Sequence, residues 1–199
     1  MIIRTSLTSP FGRKVRLAAV HLGLDVDVQP TSANEPGSTL ASDNPLGKMP
    51  VMILDDGRRV YDSRVILEQL DIMAGGGRIL PRDPKARIDA LTLQALGDGI
   101  MDAGILVVYE GRFRPKDKQH EPWLEMQRGK LKRGLAALAQ QPPDAKAVTV
   151  GTIAVACALG YVDWRKQSDW RNDHPSLVGW LDAFRGATTA FDATLPPAE

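Results

Sequence analysis

The chain has 199 residues, 43% of them hydrophobic, and its 25 Lys and Arg residues nearly balance 24 Asp and Glu residues. This length can bury one or two hydrophobic cores, and the near-neutral charge argues against a nucleic-acid partner. No apolar run approaches the ~18 residues of a membrane span, so we expect no membrane segment and no signal peptide. The single cysteine, Cys157, excludes an intramolecular disulfide framework, and a cytoplasmic location is therefore expected.

The chain begins with a predicted strand, helix and second strand. β-Branched residues favour a strand over residues 1–6. Ser9 directly before Pro10 is typical of a helix start, and apolar residues at steps of three and four predict a helix that ends at Gly23. The alternating residues 26–28 then predict a strand with one buried face.

A loop, a hairpin and a helix complete the predicted first domain. Residues 30–43 are rich in Pro, Ser, Thr, Asn and Gly, which favours a loop with at most one helical turn. Residues 51–61 predict two strands joined by a turn, and residues 63–73 predict a helix that a triple glycine terminates. We therefore expect a small α/β domain over residues 1–77.

The remainder predicts no convincing strand. Apolar residues recur with helical spacing throughout, and prolines interrupt them. The expected organisation is an all-helical domain over residues 84–199, with a frayed C-terminal tail. The predicted helices begin near Pro84, Pro122, Thr149 and Pro175.

Ser9 lies where the first strand leads into the first helix. The first turn of a helix has unpaired backbone N–H groups and the positive end of the helix dipole, which together stabilise an anion such as a thiolate. The Ser9 hydroxyl could also donate to a bound sulfur. The alternative is that Ser9 is only an N-cap.

Two further loops suggest binding to a peptide. A cis proline at position 50 would present the Met49 backbone to an extended peptide, although a trans proline at the first residue of a strand is the alternative. Asp62 and Ser63 open a helix, where they could bind the ammonium and the carboxylate of an α-amino acid head group. Plain N-capping is the alternative for this pair.

These segments together resemble the glutathione S-transferase family, which has a thioredoxin-like glutathione-binding domain and an all-α second domain. The resemblance covers nearly the whole chain. It is carried by five segments in the family's order: Ser9-Pro10-Phe11, Asn44 to Val51 with its Met49-Pro50 pair, Asp62-Ser63, Asp98 to Ala103, and Thr149 to Asp163.

The resemblance implies glutathione as co-substrate, no metal, and specific residue roles. The Met49 backbone should hold the cysteinyl part of glutathione, and Asp62 and Ser63 its γ-glutamyl end. Ser9 should face the sulfur as the catalytic residue. Lys48 and Phe11, with Pro50, complete the expected glutathione site.

The family is usually homodimeric, and its fourth helix often borders the partner's site. Asp98 and Asp102 are four residues apart and share a helix face, so one of them could reach a neighbouring glutathione; a solvated acidic face is the alternative. Tyr109, Arg112 and Phe113 would flank the pocket for the hydrophobic electrophile.

Three departures from the family pattern bear on the prediction. Thr152 occupies a position where the family often carries Asp, and Thr is a poorer reciprocal partner in a capping box. No cysteine lies near Ser9, which argues against the cysteine-dependent branch. Thr8 is a rival to Ser9 for the hydroxyl that contacts sulfur.

Two functions are therefore open. The first is a transferase that ionises glutathione and joins it to an electrophilic small molecule, as in detoxification. The second is a glutathione-binding relative with a stress-response or protein-interaction role and little catalysis.

Overall fold

Helices dominate the computed structural model, which describes residues 1–33, 35 and 37–197. Residues 34 and 36, within the predicted loop at 30–43, lie outside the described residues. The strands are β1 (Ile2–Thr5), β2 (Asp27–Pro30), β3 (Val51–Ile53) and β4 (Arg59–Val60). The helices are α1 (Pro10–Leu22), α2 (Leu40–Asp43), α3 (Ser63–Met73), α4 (Pro84–Phe113), α5 (Glu121–Gln140), α6 (Val150–Trp164), α7 (Trp170–Asp173), α8 (Pro175–Ala187) and α9 (Ala190–Ala193), with a 3₁₀ turn at Lys116–Lys118.

The N-terminal strands form one mixed sheet in the order β2-β1-β3-β4. β1 pairs in parallel with β2, and the β1–β3 and β3–β4 pairs are antiparallel. Ile3 lies opposite both Val28 and Met52 and is fully buried, while α1 packs against α3. This arrangement confirms the predicted thioredoxin-like α/β domain.

The residues divide into two compact units, one containing residues 1–90 with the segment from Thr188, the other residues 91–187. The predicted second domain, 84–199, thus differs from the second unit at both ends. The C-terminal segment belongs with the first unit because α9 packs on α1. The Arg13 guanidinium donates to the Phe191 carbonyl at 2.9 Å and lies 4.1 Å from the centre of the Phe191 ring.

Small residues allow the helices of the second unit to pack closely. A Cβ added at Gly97 of α4 would lie 2.8 Å from the Ala154 backbone of α6, and one at Gly134 of α5 would lie 2.6 Å from Ile100. Cys157 is fully buried in α6, as predicted for a small apolar residue. These helices confirm the predicted all-α region.

Helix α6 begins with a capping box in which Thr152 replaces the expected carboxylate. The Thr149 N–H donates to Thr152 Oγ1 at 2.8 Å, and the Thr152 N–H donates to Thr149 Oγ1 at 3.3 Å. Thr152 Oγ1 also donates to the Ala147 carbonyl at 2.7 Å. The expected weakness of Thr152 is therefore offset by a bond that a carboxylate, lacking a donor, could not make.

Helix α4 corrects one expectation from the sequence. An 18-residue window within it has a mean hydropathy of 1.4 and few charges, so by length and composition alone the helix could span a membrane. Core helices of globular proteins pass the same test, and α4 approaches α5 and α6 through the glycine contacts at Gly134 and Gly97. In this structure 39% of the window is buried.

Candidate functional site

The turn between β1 and α1 places Ser9 at the N-cap of α1. Its Oγ accepts the Gly12 N–H at 3.1 Å, so the predicted capping role is confirmed. Such a bond uses an acceptor lone pair and does not consume the hydroxyl hydrogen. Capping and donation to a bound sulfur are therefore compatible roles for Ser9.

Gly12 brings this helix start close to the sheet. A Cβ at position 12 would lie 1.9 Å from Thr5 Oγ1 and 3.2 Å from the Ser6 carbonyl oxygen. Only a residue without a side chain fits this approach. The first turn of α1, with its unpaired N–H groups, is consequently held directly beside the end of β1.

The rival hydroxyl of Thr8 lies in the same turn. Thr8 Oγ1 is 2.8 Å from Ser6 Oγ, and either atom could donate in this hydrogen bond. Ser6 Oγ also accepts the Thr8 N–H at 3.2 Å. The Thr8 hydroxyl is thus hydrogen-bonded to Ser6, whereas the Ser9 hydroxyl is hydrogen-bonded to the first turn of α1.

The loop before β3 contains the cis peptide bond predicted at Met49–Pro50. Met49 is half-buried and Pro50 is buried. The Ser6 N–H donates to the Met49 sulfur at 2.9 Å. This bond joins the turn that carries Ser9 to the loop that carries Met49.

Asn44 holds the rest of this loop. Its side-chain amide donates to the Lys48 carbonyl at 2.8 Å and its Oδ1 accepts the Leu46 N–H at 3.1 Å. Asn44 is only 2% exposed, so these bonds are shielded from water. The Lys48 side chain itself is exposed.

The third predicted segment opens α3. Asp62 is exposed and is the N-cap, where its Oδ1 accepts the Arg64 N–H at 3.0 Å. Ser63 is the first residue of the helix and is 3% exposed. Capping by Asp62 is confirmed, and the binding of a glutamyl group by this pair stays a prediction.

Phe11 lies in the first turn of α1 and is half-buried. Lys14, one turn further along, is fully buried, and its Nζ lies 5.7 Å from the centre of the Phe11 ring. The predicted glutathione-site residues of the N-terminal half thus belong to the starts of α1, β3 and α3, all within the first unit.

The structure separates the two acidic residues of α4. Asp98 is fully buried, whereas Asp102 is exposed. The solvated acidic face proposed for this pair is therefore wrong for Asp98, because helix packing covers its carboxylate. Only Asp102 has the exposure that contact with a second subunit requires.

The end of α4 borders a cavity of about 420 Å³ within the second unit. Two of the three predicted electrophile-pocket residues, Tyr109 and Phe113, line it, and their rings meet edge to face at 5.1 Å. Arg112 is not among the lining residues, although its guanidinium lies 5.5 Å from the centre of the Tyr109 ring. The lining residues are Leu106, Tyr109, Glu110, Phe113, Arg114, His120 and Trp123.

Glu110 is the acidic group of this cavity, and its charge is already compensated. A hydrogen bond from Arg114 and one from the His120 N–H lower the pKa of the Glu110 carboxyl. The carboxylate therefore stays ionised and fixes the chain that follows α4. It is a structural anchor rather than a proton donor.

Sequence reasoning did not single out some residues that position the candidate site. Ser6 and Asn44 position the Met49 loop, and the Asn44 side chain followed by a Pro-Leu-Gly turn is a signal that could have been used.

A thioredoxin-like unit followed by a helical unit, with these three loops, defines the glutathione S-transferase class of fold. Residues 8–72 match the protein family described as "Glutathione S-transferase, N-terminal domain". The chain is 35% identical to the uncharacterized GST-like protein YibF of Escherichia coli over 197 residues, which is 96% of each chain. The chain therefore belongs to the glutathione S-transferase family.

Solved structures agree with this assignment. A glutathione transferase family member from Pseudomonas fluorescens, with bound glutathione, is 41% identical, with a TM-score of 0.90 over 99% of each chain. A glutathione S-transferase from Methylobacillus flagellatus, also with glutathione bound, is 37% identical, with a TM-score of 0.90 over 98% of this chain and 99% of the other.

Proposed function

We propose that this protein is a glutathione S-transferase that binds glutathione in its first unit and joins it, through its sulfur, to a small hydrophobic electrophile. The observation that carries the proposal is the hydrogen bond from the Ser6 N–H to the Met49 sulfur at 2.9 Å. It ties the proposed thiolate-binding turn to the proposed peptide-binding loop. The two relatives solved with glutathione support the choice of ligand.

The cysteinyl and γ-glutamyl parts of glutathione each have a proposed contact in the first unit. The Met49 backbone pairs with the cysteinyl residue, and Asp62 and Ser63 hold the γ-glutamyl group. Lys48 and Phe11 border the tripeptide. The first-turn N–H groups of α3 favour the glutamyl carboxylate, because they have no acceptor within the helix.

The chemistry depends on the acidity of the glutathione thiol. A free thiol has a pKa of ~8.5 and is mostly neutral at pH 7. Lowering this pKa by about two units requires roughly 2.7 kcal/mol of preferential stabilisation of the thiolate. The Ser9 hydroxyl, donating to sulfur, and the N-terminus of α1 supply interactions of this size.

In the transfer step the thiolate sulfur donates an electron pair to an electrophilic carbon and a C–S bond forms. When the carbon carries a leaving group, that group departs with the electrons of its bond. The thiol proton has already passed to solvent, so the protein supplies position and charge stabilisation but no oxidant or reductant.

The proposal includes assembly and location. We propose a homodimer in which Asp102, exposed on α4, approaches the partner's glutathione. A cytoplasmic location and a role in detoxification are part of the same proposal. Analytical ultracentrifugation tests the dimer, and a monomeric protein at micromolar concentration would exclude the role of Asp102.

Calorimetric titration with glutathione tests the binding site. Ser63→Ala should weaken binding by about 1.5–3 kcal/mol, because a hydrogen bond to a charged group has that value. Ser42→Ala, on the exposed side of α2, is the matched control and should leave the dissociation constant unchanged. Equal affinities for the two variants would remove Ser63 from the site.

Thiolate absorbance in the ultraviolet tests the role of Ser9. Ser9→Ala should raise the pKa of bound glutathione by about one unit, while Ser9→Thr, which keeps a hydroxyl and a capping oxygen, should restore it. Thr8→Val is the control for the rival hydroxyl. A shift with Thr8→Val and none with Ser9→Ala would reassign the role to Thr8.

Turnover of chlorodinitrobenzene separates the transferase from the alternative, a glutathione-binding protein with little catalysis. Wild type should form the conjugate and Ser9→Ala should form it more slowly at neutral pH. Glutathione binding without turnover by either protein would favour the alternative.

A further inference from the structure

The cavity of about 420 Å³ at the end of α4 is lined, among the described residues, by the second unit alone. Leu106, Tyr109 and Phe113 come from successive turns of α4, and Trp123 comes from the first turn of α5. Sites for small molecules in proteins typically have volumes of ~300–1,000 Å³. We call this space the α4–α5 cavity, and its size is sufficient for a small molecule with fused rings.

Apolar side chains of α4 are exposed at the cavity. Leu106 is 37% exposed, Tyr109 is 42% exposed and Phe113 is 58% exposed. The planes of the Tyr109 and Phe113 rings make an angle of 77°. A flat ligand parallel to one of these rings therefore stands nearly perpendicular to the other, and both arrangements are favourable between aromatic groups.

Glu110 and Arg114 cancel each other's charge at the cavity. The Glu110 carboxylate accepts hydrogen bonds from Arg114 and from the His120 backbone N–H. A cationic ligand is disfavoured further, because the Arg112 guanidinium already lies 5.5 Å from the centre of the Tyr109 ring. An ionic ligand would therefore lose its hydration without a matching opposite charge, and an uncharged ligand is favoured.

The polar groups that line the cavity are mainly hydrogen-bond donors. The Trp123 indole N–H is a donor only, and Arg114 has further N–H groups besides the one directed to Glu110. Within the described part of the chain, neither the Trp123 indole N–H nor the Tyr109 hydroxyl has a hydrogen-bond partner. A ligand with an oxygen acceptor matches these donors.

We propose that the α4–α5 cavity binds a neutral, planar aromatic molecule that carries a carbonyl oxygen. The rings of Tyr109 and Phe113 contact the aromatic plane, and the Trp123 indole N–H donates to the carbonyl oxygen. The site uses residues of the second unit, so binding requires neither glutathione nor a reaction. The inference therefore goes beyond the transferase function proposed above.

A purely structural explanation makes a different prediction. If Tyr109 and Phe113 only complete α4, and Trp123 only packs at the start of α5, small aromatic molecules should bind without regard to their polar group. The hydrophobic effect depends on the apolar area removed from water and is not directional. A preference for a carbonyl oxygen is therefore the property that distinguishes the two explanations.

The indole signal of Trp123 reports directly on the site. The chain has four tryptophans, so the protein labelled with nitrogen-15 gives one indole N–H signal for each, and Trp123→Phe identifies the signal of Trp123 by its loss. Titration of the full chain with 2-acetonaphthone, without glutathione, should shift this signal more than the others. No shift up to the solubility limit of the ketone would overturn the proposal.

Two analogues with the same ring system separate the oxygen acceptor from the apolar surface. 2-Ethylnaphthalene lacks the oxygen, and 2-naphthoate carries a negative charge. The ketone should bind about fivefold more tightly than the hydrocarbon, which is the effect of one hydrogen bond, and also more tightly than the carboxylate. Equal affinities for ketone and hydrocarbon, or tighter binding of the carboxylate, would overturn the assigned class of ligand.

Variants test the named contacts, with affinities measured by equilibrium dialysis. Trp123→Phe keeps a ring but removes the N–H group, so the preference for the ketone should fall below about twofold. Phe113→Ala should weaken binding of ketone and hydrocarbon equally, because it removes a ring and no donor. Tyr61→Phe, in the first unit, is the matched control for loss of a polar atom and should leave all affinities unchanged.

Thermal unfolding of each variant checks that it folds. A folded Trp123→Phe protein that keeps the full preference for the ketone would overturn the site. Because the titrations contain no glutathione, failure of the protein to bind glutathione would overturn the proposed function and leave this result unaffected.

Discussion

The first unit presents mainly backbone groups at the starts of α1, β3 and α3, whereas the second unit presents side chains around a cavity at the end of α4. Ser9 and Asp62 cap their helices, and Asn44 holds the loop before Met49. The second unit instead presents Tyr109 and Arg112.

This difference suggests that the two units have different roles, one in recognising glutathione and the other in recognising the acceptor. Backbone groups recognise a peptide whatever the local side chains are, provided that the loops are held in place. Side chains on helices can recognise acceptors of many kinds. Changes in the first unit should therefore alter glutathione affinity or folding, and changes at the helix ends should alter selectivity.

The largest effect should come from Asp71, which holds the backbone of the first unit. Its carboxylate accepts N–H groups from all four residues of 77–80, at 2.7–3.3 Å. Asp71→Asn should lower the free energy of unfolding by roughly 3 kcal/mol, because these donors lose a charged acceptor. Urea unfolding measures the change, and the exposed Asp25→Asn should shift it by less than about 0.5 kcal/mol.

The same hydrogen bonds predict that the free energy of unfolding depends on pH. Burial alone would raise the pKa of Asp71, but the backbone donors outweigh it and lower the pKa below its ordinary value of 3.8. The stabilisation is therefore present above pH 3.8 and is lost as the pH falls through the lower folded-state pKa. Wild type should lose stability on acidification more steeply than Asp71→Asn; parallel curves would contradict this account.

A glycine pair in α4 tests whether close helix packing holds the second unit together. Gly97→Ala should destabilise by about 2 kcal/mol, because the new Cβ meets the Ala154 backbone. Gly99→Ala, in the same helix with open space around it, should stabilise by up to about 1 kcal/mol. Thermal unfolding compares them, and stabilisation by both substitutions would show that the packing at Gly97 is not tight.

The capping box of α6 is a place where the second unit resembles the first, since a side chain holds backbone groups. Thr152→Val removes both the acceptor for the Thr149 N–H and the donor to Ala147. We expect a loss of about 1.5 kcal/mol in chemical unfolding, with Thr152→Ser close to wild type. A loss in the Ser variant but not in the Val variant, which keeps the methyl group, would assign the effect to packing of that methyl group.

Asn44→Ala should have the smallest effect, on ligand affinity. Without the amide bond to the Lys48 carbonyl, the loop carrying Met49 loses one restraint worth about 1 kcal/mol, so glutathione should bind about fivefold more weakly by calorimetry. Leu46→Ala, in the same loop and 72% exposed, should bind normally. Weaker binding in the leucine variant alone would indicate direct contact instead of loop positioning.

The sequence predicted features whose partners are close along the chain. The N-caps at Ser9 and Asp62, the helix ending at Gly23 and the bounds of α3 all involve groups within about four residues of one another. These features, together with the Met49–Pro50 pair and the two helical segments at Asp98 to Ala103 and Thr149 to Asp163, predicted the family and the two-part fold.

Contacts between distant segments were decided by the tertiary structure. Packing buries Asp98 but leaves Asp102 exposed, although the two lie one turn apart. Packing also allows the hydrogen bond between Ser6 and Met49, which are 43 residues apart, and places the Tyr161 ring close to Gly104. Local propensity contains no information on these pairs, because which helix faces meet depends on the shape and volume of every side chain between them.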